Sequence, residues 1–212
     1  MRMQPLSGAR LPDGFTASVF RAGLAAPRGL LVSASGDLLV VERGGVSRIR
    51  ALWDTDGDGI SSDSETAVLA DSASELNHGI AYSAGYLYAS SDTTVYRWAY
   101  DGHKRSSLGM HETVIANMNA NGAGGAPSGH TTRTLAFDGA GNLYVSVGSY
   151  SNVDSSSFRA RVRRFDSTLL QGTFSAGSSL DFLTGFVWAD GLRNEGACRT
   201  SPPQRVRSSQ PP

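Results

Sequence analysis

One pattern recurs three times along this chain and restricts its fold more than any other feature. Residues 29–41, 79–90 and 134–146 each read as an apolar strand, a glycine-containing turn and a second apolar strand. A further short strand follows each pair, at residues 46–49, 95–98 and 162–165. The copies begin at Gly29, Gly79 and Thr134, which lie 50 and 55 residues apart. The sequence therefore predicts three copies of one unit built from consecutive strands.

The turn of each copy contains a glycine, at Gly36, Gly85 and Gly141. Tight turns between antiparallel strands often require a positive φ, which glycine adopts without a steric penalty. We therefore expect a β-hairpin in each copy.

The size of the unit favours a β-propeller. A repeat of roughly 40 to 50 residues with about four strands matches a propeller blade, whereas helical solenoid repeats would show a 3.6-residue periodicity that is absent here. We predict an all-β fold of roughly three blades. Because propellers close with about 4 to 8 blades, such a chain either dimerises or is incomplete.

The blade pattern divides the chain into three parts. Residues 1–10 form an N-terminal extension, residues 11–195 a partial β-propeller, and residues 196–212 a tail that holds half of the eight prolines. Its composition is typical of a disordered segment. An abrupt departure from the coding frame near Glu195 is the other interpretation, and the break in mid-repeat favours it.

Composition excludes several classes of function. The 19 Lys and Arg residues balance the 19 Asp and Glu residues, which argues against nucleic-acid binding. No apolar run approaches the ~20 residues of a membrane span. The single cysteine, Cys198, allows neither a disulfide framework nor a cysteine-rich zinc site. Residues 1–10 lack the apolar core of a signal peptide, so the sequence leaves the compartment open.

Two of the four histidines precede predicted hairpins. His130 follows the glycine-rich segment 121–128 and precedes the third hairpin, and His78 holds the corresponding place before the second. Side chains at the start of an innermost blade strand point towards the central channel, where small-molecule sites gather. His130 is thus a candidate general base and His78 a candidate substrate-binding residue. A hydrogen-bonded structural histidine is the alternative for each.

The segment 54–65 matches a calcium-binding loop. Asp54, Asp56 and Asp58 occupy positions one, three and five, Gly59 position six and Glu65 position twelve. The flanks 49–53 and 66–69 resemble strands, whereas an EF-hand has helices there. A solvated acidic loop between two strands is therefore the alternative to a calcium site.

Arg193 and Asn194 form the last candidate pair. A planar guanidinium beside an amide suits a cofactor rich in carbonyl and carboxylate groups, and an ordinary surface pair is the alternative. The sequence has neither a G-x-S-x-G elbow nor a phosphate-binding loop, so hydrolase and nucleotide-binding functions are unsupported.

Taken in order, these residues resemble the PQQ-dependent soluble sugar dehydrogenases, also called glucose/sorbosone dehydrogenases, and most closely their pyranose dehydrogenase branch. The resemblance runs from Leu11 to about Asn194. The matching pieces are residues 11–15 (LPDGF), 26–29 (APRG), 41–43 (VER), 77–79 (NHG), 129–130 (GH), 143–149 (LYVSVGS) and 191–194 (GLRN).

The resemblance implies a six-bladed β-propeller with the quinone over its central channel. It implies that His130 is the base that takes the proton from the sugar hydroxyl while hydride passes to the quinone. Arg193 would polarise the quinone carbonyl, and Asn194 would contact the cofactor. PQQ and calcium are the implied cofactors, a sugar and an electron acceptor the implied partners, and an extracellular or periplasmic location the implied compartment.

The chain departs from this family after Asn194. The family continues into a strand, a calcium site that anchors the quinone and further basic cofactor ligands, and residues 196–212 match none of these. We therefore expect a propeller truncated to about half of its blades, with weak or absent quinone binding and little activity. A non-catalytic propeller that serves as a binding module is the alternative function.

Overall fold

The computed structural model describes residues 8, 10–43, 45, 47–71, 75–118, 130–154, 158–175 and 177–194. The glycine-rich segment 121–128, Cys198 and the predicted tail 196–212 lie outside this part of the chain, as do residues 1–7 and 9 of the predicted N-terminal extension.

The first repeat forms a sheet of four strands, which pair antiparallel in chain order. The strands are β1 (Pro27–Val32), β2 (Leu38–Glu42), β3 (Arg48–Leu52) and β4 (Thr66–Ala70). The central strand β2 is buried along most of its length because neighbouring chain covers both of its faces. The predicted hairpin and the strand that follows it are thus the first three strands of one blade.

The second repeat forms an equivalent antiparallel set. Its strands are β5 (Ile80–Ser83), β6 (Tyr86–Ser90), β7 (Val95–Ala99) and β8 (Glu112–Ala116). The hairpin between β5 and β6 has a two-residue loop, Ala84 and Gly85, and both have positive φ, at 49° and 82°. This conformation matches the right-handed twist of the strands it joins.

The third repeat supplies β9 (Leu135–Phe137), β10 (Leu143–Val147) and β11 (Arg161–Phe165). Two later strands complete the array: β12 (Leu180–Asp181), which pairs parallel with β8 of the second sheet, and β13 (Phe186–Asp190), which pairs antiparallel with β11. Short 3₁₀ turns at Ser167–Leu170 and Phe182–Thr184 connect them. The chain therefore adds a strand, β12, to the second sheet before it supplies β13, the fourth strand of the third sheet.

The predicted turn glycines adopt the expected backbone conformation. Gly36, Gly85 and Gly141 have φ values of 86°, 82° and 79°. The hairpin prediction is confirmed in all three copies.

Two apolar cores lie between neighbouring sheets. Leu39 and Val41 of the first sheet pack with Leu87 and Trp98 of the second. The other core joins residues of the second and third sheets, among them Tyr88, Val114, Leu143, Val145 and Phe165. Since each strand alternates its side chains between two faces, the middle sheet contributes to both cores.

The inner strands β1, β5 and β9 contact one another in that order. Two glycines permit their close approach. A Cβ atom on Gly29 would lie 2.0 Å from the carbonyl oxygen of His78, and one on Gly79 would lie 2.2 Å from that of Arg133. Both junctions thus bring backbone directly against backbone.

Three mainly antiparallel sheets with adjacent inner strands confirm the prediction of an all-β partial propeller of three blades. Among the described residues, no helix is long and apolar enough to span a membrane.

Candidate functional site

His130 lies just before the inner strand β9, as predicted. Its Nδ1 atom is 2.7 Å from the carbonyl oxygen of Ser149, and its backbone N–H donates to the same oxygen at 3.3 Å. Ser149 follows the end of β10 and is buried, whereas His130 is half-buried. The imidazole is therefore held by the backbone of the neighbouring strand and keeps part of its surface open to solvent.

Arg193 and Asn194 reach the same place from the end of β13. The carbonyl oxygen of Arg193 accepts a hydrogen bond of 2.7 Å from the Ser149 N–H. The Arg193 side chain donates from Nε to Oδ1 of Asn152 at 2.9 Å. Asn194 Oδ1 accepts from the Thr132 hydroxyl at 3.1 Å. His130 and Arg193 thus both bond to Ser149, and Asn194 bonds to the neighbouring segment at Thr132. We refer to His130, Ser149, Arg193 and Asn194 as the inner site.

Gly148 allows this convergence. A Cβ atom at this position would lie 2.8 Å from the His130 Cβ and 2.9 Å from the Arg193 carbonyl oxygen. These distances are shorter than non-bonded carbon and oxygen atoms tolerate, so a larger residue would displace the His130 or the Arg193 segment.

His78 lies two residues before β5, whereas His130 lies five residues before β9, so the structure does not place the two histidines at equivalent positions. Its neighbour Asn77 is 2% exposed and donates from Nδ2 to the carbonyl oxygen of Thr131 at 2.8 Å. The Asn77 backbone N–H donates to Ser90 at 3.0 Å. The structure therefore joins the segments that carry His78 and His130 through the Asn77 side chain, and it leaves His78 itself half-buried.

A fully buried arginine, Arg133, holds the backbone of the segment that carries His130. Arg133 is 0% exposed and donates from Nε to the Asp92 carbonyl oxygen at 2.8 Å. Its Nη1 atom donates to the carbonyl oxygens of His130 and Thr132, both at 3.1 Å. Burial lowers the pKa of Arg133 to about 10, against the opposing effect of the Asp92 carboxylate. Arg133 stays cationic at neutral pH and fixes the segment 130–132 to the loop after β6.

The acidic loop 54–65 lies between β3 and β4, so strands flank it as predicted. Carboxylate oxygens of Asp54, Asp56 and Asp58 lie within 4.8 Å of one another. Asp54 also accepts hydrogen bonds of 2.8 Å from the backbone N–H groups of Gly57 and Gly59. The three aspartates offer the hard oxygen ligands that calcium prefers.

Glu65, the fourth predicted ligand, bonds to the loop backbone. It accepts from the Thr55 N–H at 2.6 Å, and from the N–H and the hydroxyl of Ser62 at 3.0 and 2.8 Å. The Ser62 and Thr55 hydrogen bonds lower the pKa of Glu65 to about 2. Both Glu65 oxygens are therefore engaged, and a cation at the aspartates would compete with these bonds for the glutamate.

A family model described as TrAA12-like matches residues 9–208. This chain belongs to the TrAA12-like family.

Three known proteins show what this TrAA12-like chain is similar to. It is 33% identical over 193 residues to a pyrroloquinoline quinone-dependent sugar dehydrogenase of Hypocrea jecorina (strain QM6a), covering 86% of this chain and 42% of that protein. The calcium structure of Trichoderma reesei Carbohydrate-Active Enzymes Family AA12 matches with a TM-score of 0.66 at 30% identity, covering 90% of this chain and 45% of the other. The holo PQQ domain of pyranose dehydrogenase from Coprinopsis cinerea matches with a TM-score of 0.71 at 28% identity, covering 92% and 44%.

These similarities confirm the predicted relationship to the PQQ-dependent sugar dehydrogenases. The TrAA12-like chain spans less than half the length of each of these three proteins.

Sequence reasoning missed four residues around the inner site of this TrAA12-like chain: Thr132, Arg133, Ser149 and Asn152. Ser149 and Thr132 carry no distinctive pattern, because any small polar residue reads as a turn or surface residue. An arginine beside a strand reads as exposed, since charged residues are rarely fully buried. Gly148, directly after β10, was the local signal that other backbone segments approach closely here.

Proposed function

We propose that this chain carries the His130–Arg193 part of a quinoprotein sugar dehydrogenase site, which oxidises a pyranose by hydride transfer to PQQ. The observation that supports this proposal is that His130 and Arg193 both bond to the Ser149 peptide, while Asn194 bonds to Thr132 beside His130. The titratable base His130 and the neighbouring guanidinium and amide of Arg193 and Asn194 are brought together although they lie far apart in the sequence. The similar proteins are PQQ-dependent dehydrogenases of sugar or pyranose.

His130 has the contacts of a general base. The Ser149 carbonyl can only accept a hydrogen bond, so Nδ1 of His130 carries the proton. In the neutral ring the lone pair then lies on Nε2, which is free to accept a proton from a sugar hydroxyl. Loss of that proton raises electron density at the sugar carbon and favours departure of its hydride.

Arg193 and Asn194 fit a quinone that bears carboxylates and carbonyls. Both side chains are exposed, and the hydrogen bond from Nε to Asn152 restricts the orientation of the Arg193 guanidinium. A guanidinium oriented in this way binds planar anionic oxygens. PQQ, when bound, supplies the two-electron acceptor chemistry that the protein's own side chains lack. An external electron acceptor would be needed to take up these electrons.

A binding experiment tests the cofactor proposal. We expect PQQ with calcium to quench the tryptophan fluorescence of the chain weakly, because the chain spans less than half of its relatives. Arg193→Ala should weaken this binding about tenfold, equivalent to ~1.4 kcal/mol. Arg10→Ala, at another exposed arginine, is the matched control. Equal PQQ affinity in wild type and Arg193→Ala would contradict the proposal.

An activity experiment separates an oxidoreductase from a non-catalytic binding module. Aldose oxidation is measured with PQQ, calcium and an artificial electron acceptor. Any turnover of the chain should disappear in His130→Ala while PQQ binding persists. A sugar-binding propeller that shows neither turnover nor PQQ binding would instead support the binding module.

We also propose that the acidic loop 54–65 binds calcium through Asp54, Asp56 and Asp58, with Glu65 as a further ligand after rearrangement. The grouping of three carboxylates within 4.8 Å supports this proposal. Calorimetry in calcium and in EDTA tests it. A calcium-dependent rise in Tm that Asp54→Asn abolishes is the expected result, and an unchanged Tm would exclude the site.

A further inference from the structure

The residue that links the two halves of the inner site is Ser149, and the sequence gives it no role. Its carbonyl oxygen accepts from His130, and its N–H donates to Arg193. Ser149 is 3% exposed, so solvent does not compete for these bonds. We infer that the Gly148–Ser149 dipeptide is the positioning element of the inner site: it fixes the tautomer of His130 and the place of Arg193 through one peptide segment. This inference rests on the proposed function for its catalytic meaning, and its contacts stand independently.

The Ser149 carbonyl oxygen selects one tautomer of the His130 ring. Free neutral imidazole carries its proton mainly on Nε2, and a site that needs Nε2 as a base must reverse this preference. The Ser149 carbonyl, 2.7 Å from Nδ1, does so because it stabilises only the ring whose Nδ1 is protonated. The backbone N–H of His130 donates to the same oxygen, which fixes the main chain as well as the ring.

The N–H group of the same residue, Ser149, holds the Arg193 segment. The Ser149 N–H donates to the Arg193 carbonyl oxygen at 2.7 Å, and this bond holds the chain directly after β13. The Ser149 hydroxyl carries a single hydrogen, and its shortest acceptor is the Ser151 carbonyl oxygen at 2.6 Å. The hydroxyl oxygen also lies 3.2 Å from His130 Nδ1 and 3.2 Å from the Arg193 carbonyl oxygen. Both distances are longer than the 2.7 Å of the main-chain contacts, which therefore define the site.

Gly148 explains why this peptide can lie between both segments. A side chain there would meet His130 on one side and Arg193 on the other, at 2.8 and 2.9 Å. Either segment must retreat if a Cβ is added, and each retreat lengthens a bond to Ser149. The His130 tautomer and the Arg193 position are therefore expected to fail together.

Nuclear magnetic resonance of the chain with isotope-labelled histidine tests the His130 tautomer. For the neutral form of the His130 ring in the wild type, we expect a protonated Nδ1 and an unprotonated Nε2, assigned by loss of the signal in His130→Gln. A protonated Nε2 in that neutral form would overturn the inference. This measurement needs no cofactor, so it is independent of whether PQQ binds.

Two variants test the coupling. Gly148→Ala should lose the fixed Nδ1–H signal and shift the backbone amide resonances of residues 192–194 at the same time. Gly139→Ala is the matched control, because nothing lies within 4 Å of a Cβ at that position. Ser149→Ala keeps the carbonyl and N–H, so it should retain the tautomer.

The outcomes separate this inference from the proposed function. Gly148→Ala with an unchanged His130 tautomer, or Ser149→Ala with a lost one, would overturn the positioning role. If Gly148→Ala fails to fold, the wild-type and Ser149→Ala spectra still show whether the main chain of Ser149 fixes the His130 tautomer. A correct tautomer in a chain that shows no PQQ binding would contradict the proposed function and leave the positioning role intact.

Discussion

The inner site and the acidic loop contrast in how the chain builds them. In the loop, the hydrogen bonds of the acidic side chains mostly join near neighbours in sequence, such as Thr55 and Glu65, which are ten residues apart. Its C-terminal part is also bonded from outside the loop, by Arg21 to Ser61 and Asp63. In the inner site, His130 and Ser149 are 19 residues apart, and Thr132 and Asn194 are 62 apart. The loop is held mainly by bonds within itself, whereas the inner site joins distant segments of the third blade, and the contacts of Asn77 and Arg133 tie it to the second blade. Changes at the blade junction should therefore damage the inner site first.

The largest effect is expected at Gly79. In Gly79→Ala the new Cβ would lie 2.2 Å from the Arg133 carbonyl oxygen and 2.5 Å from the Ser90 hydroxyl. Because the closest atom belongs to the backbone, the second and third blades must separate, at a cost of about 3 kcal/mol in the free energy of unfolding. Urea denaturation measures this loss.

Gly139→Ala again serves as the control, since its Cβ meets no atom within 4 Å. It should change the free energy of unfolding by less than about 0.5 kcal/mol. A Gly79→Ala chain as stable as Gly139→Ala would show that the blade junction is not tightly packed, and the contrast between the two regions would fail.

Arg133→Met should have the next largest effect. The variant keeps apolar volume but removes the donor to three carbonyl oxygens, those of Asp92, His130 and Thr132. Buried acceptors left without a donor cost free energy, and we expect a loss of about 2 kcal/mol. The wild-type stability should also change little between pH 7 and 9, because the pKa of Arg133 remains about 10.

Denaturation of Arg133→Met and of the exposed-site control Arg10→Met measures this difference. The same substitution at Arg10 should be nearly neutral, because that side chain is exposed. Equal stability of the two variants would mean that the buried guanidinium does not support the segment 130–132.

The same contrast explains what could be predicted from the sequence. The hairpins followed from short apolar runs and turn glycines, and the acidic loop from fixed ligand spacing, because these signals are local. The pairing of β12 with β8 and the burial of Arg133 depend on blades that meet only in the folded chain. His130 and Arg193 were identified through family resemblance, whereas the Ser149 peptide that joins them acts through backbone atoms, which leave no signature in side-chain identity.

Acid should destabilise the acidic loop, because its contacts depend on the ionised form of Glu65. The pKa of Glu65 is lowered from 4.5 to about 2 by the Ser62 and Thr55 hydrogen bonds. A lowered pKa means that the ionised form stabilises the fold: the contribution is complete above pH 4.5 and is lost as the pH falls towards 2. The Tm should therefore drop over this window, and Glu65→Gln should drop less steeply.

Glu42 provides a comparison outside the loop. Burial favours its neutral form, but hydrogen bonds from Arg48, the Ala25 N–H and Arg50 outweigh burial and lower its pKa to about 2. Part of the acid sensitivity should therefore remain in Glu65→Gln. Calorimetry between pH 5 and pH 2 measures both slopes, and a Glu65→Gln slope equal to that of wild type would assign all of the sensitivity to other carboxylates.

The smallest effect is expected for Asp56→Asn without calcium. Asp56 is exposed, and the hydrogen bond that its Oδ1 accepts from the Asp58 N–H at 3.2 Å can equally be accepted by an asparagine oxygen. We expect a change below about 0.5 kcal/mol in the free energy of unfolding in EDTA. In calcium, however, the variant loses one negative ligand and should show a smaller ligand-induced rise in Tm than wild type. Equal calcium responses of the two chains would identify the loop as a solvated acidic turn whose shape owes nothing to a bound ion.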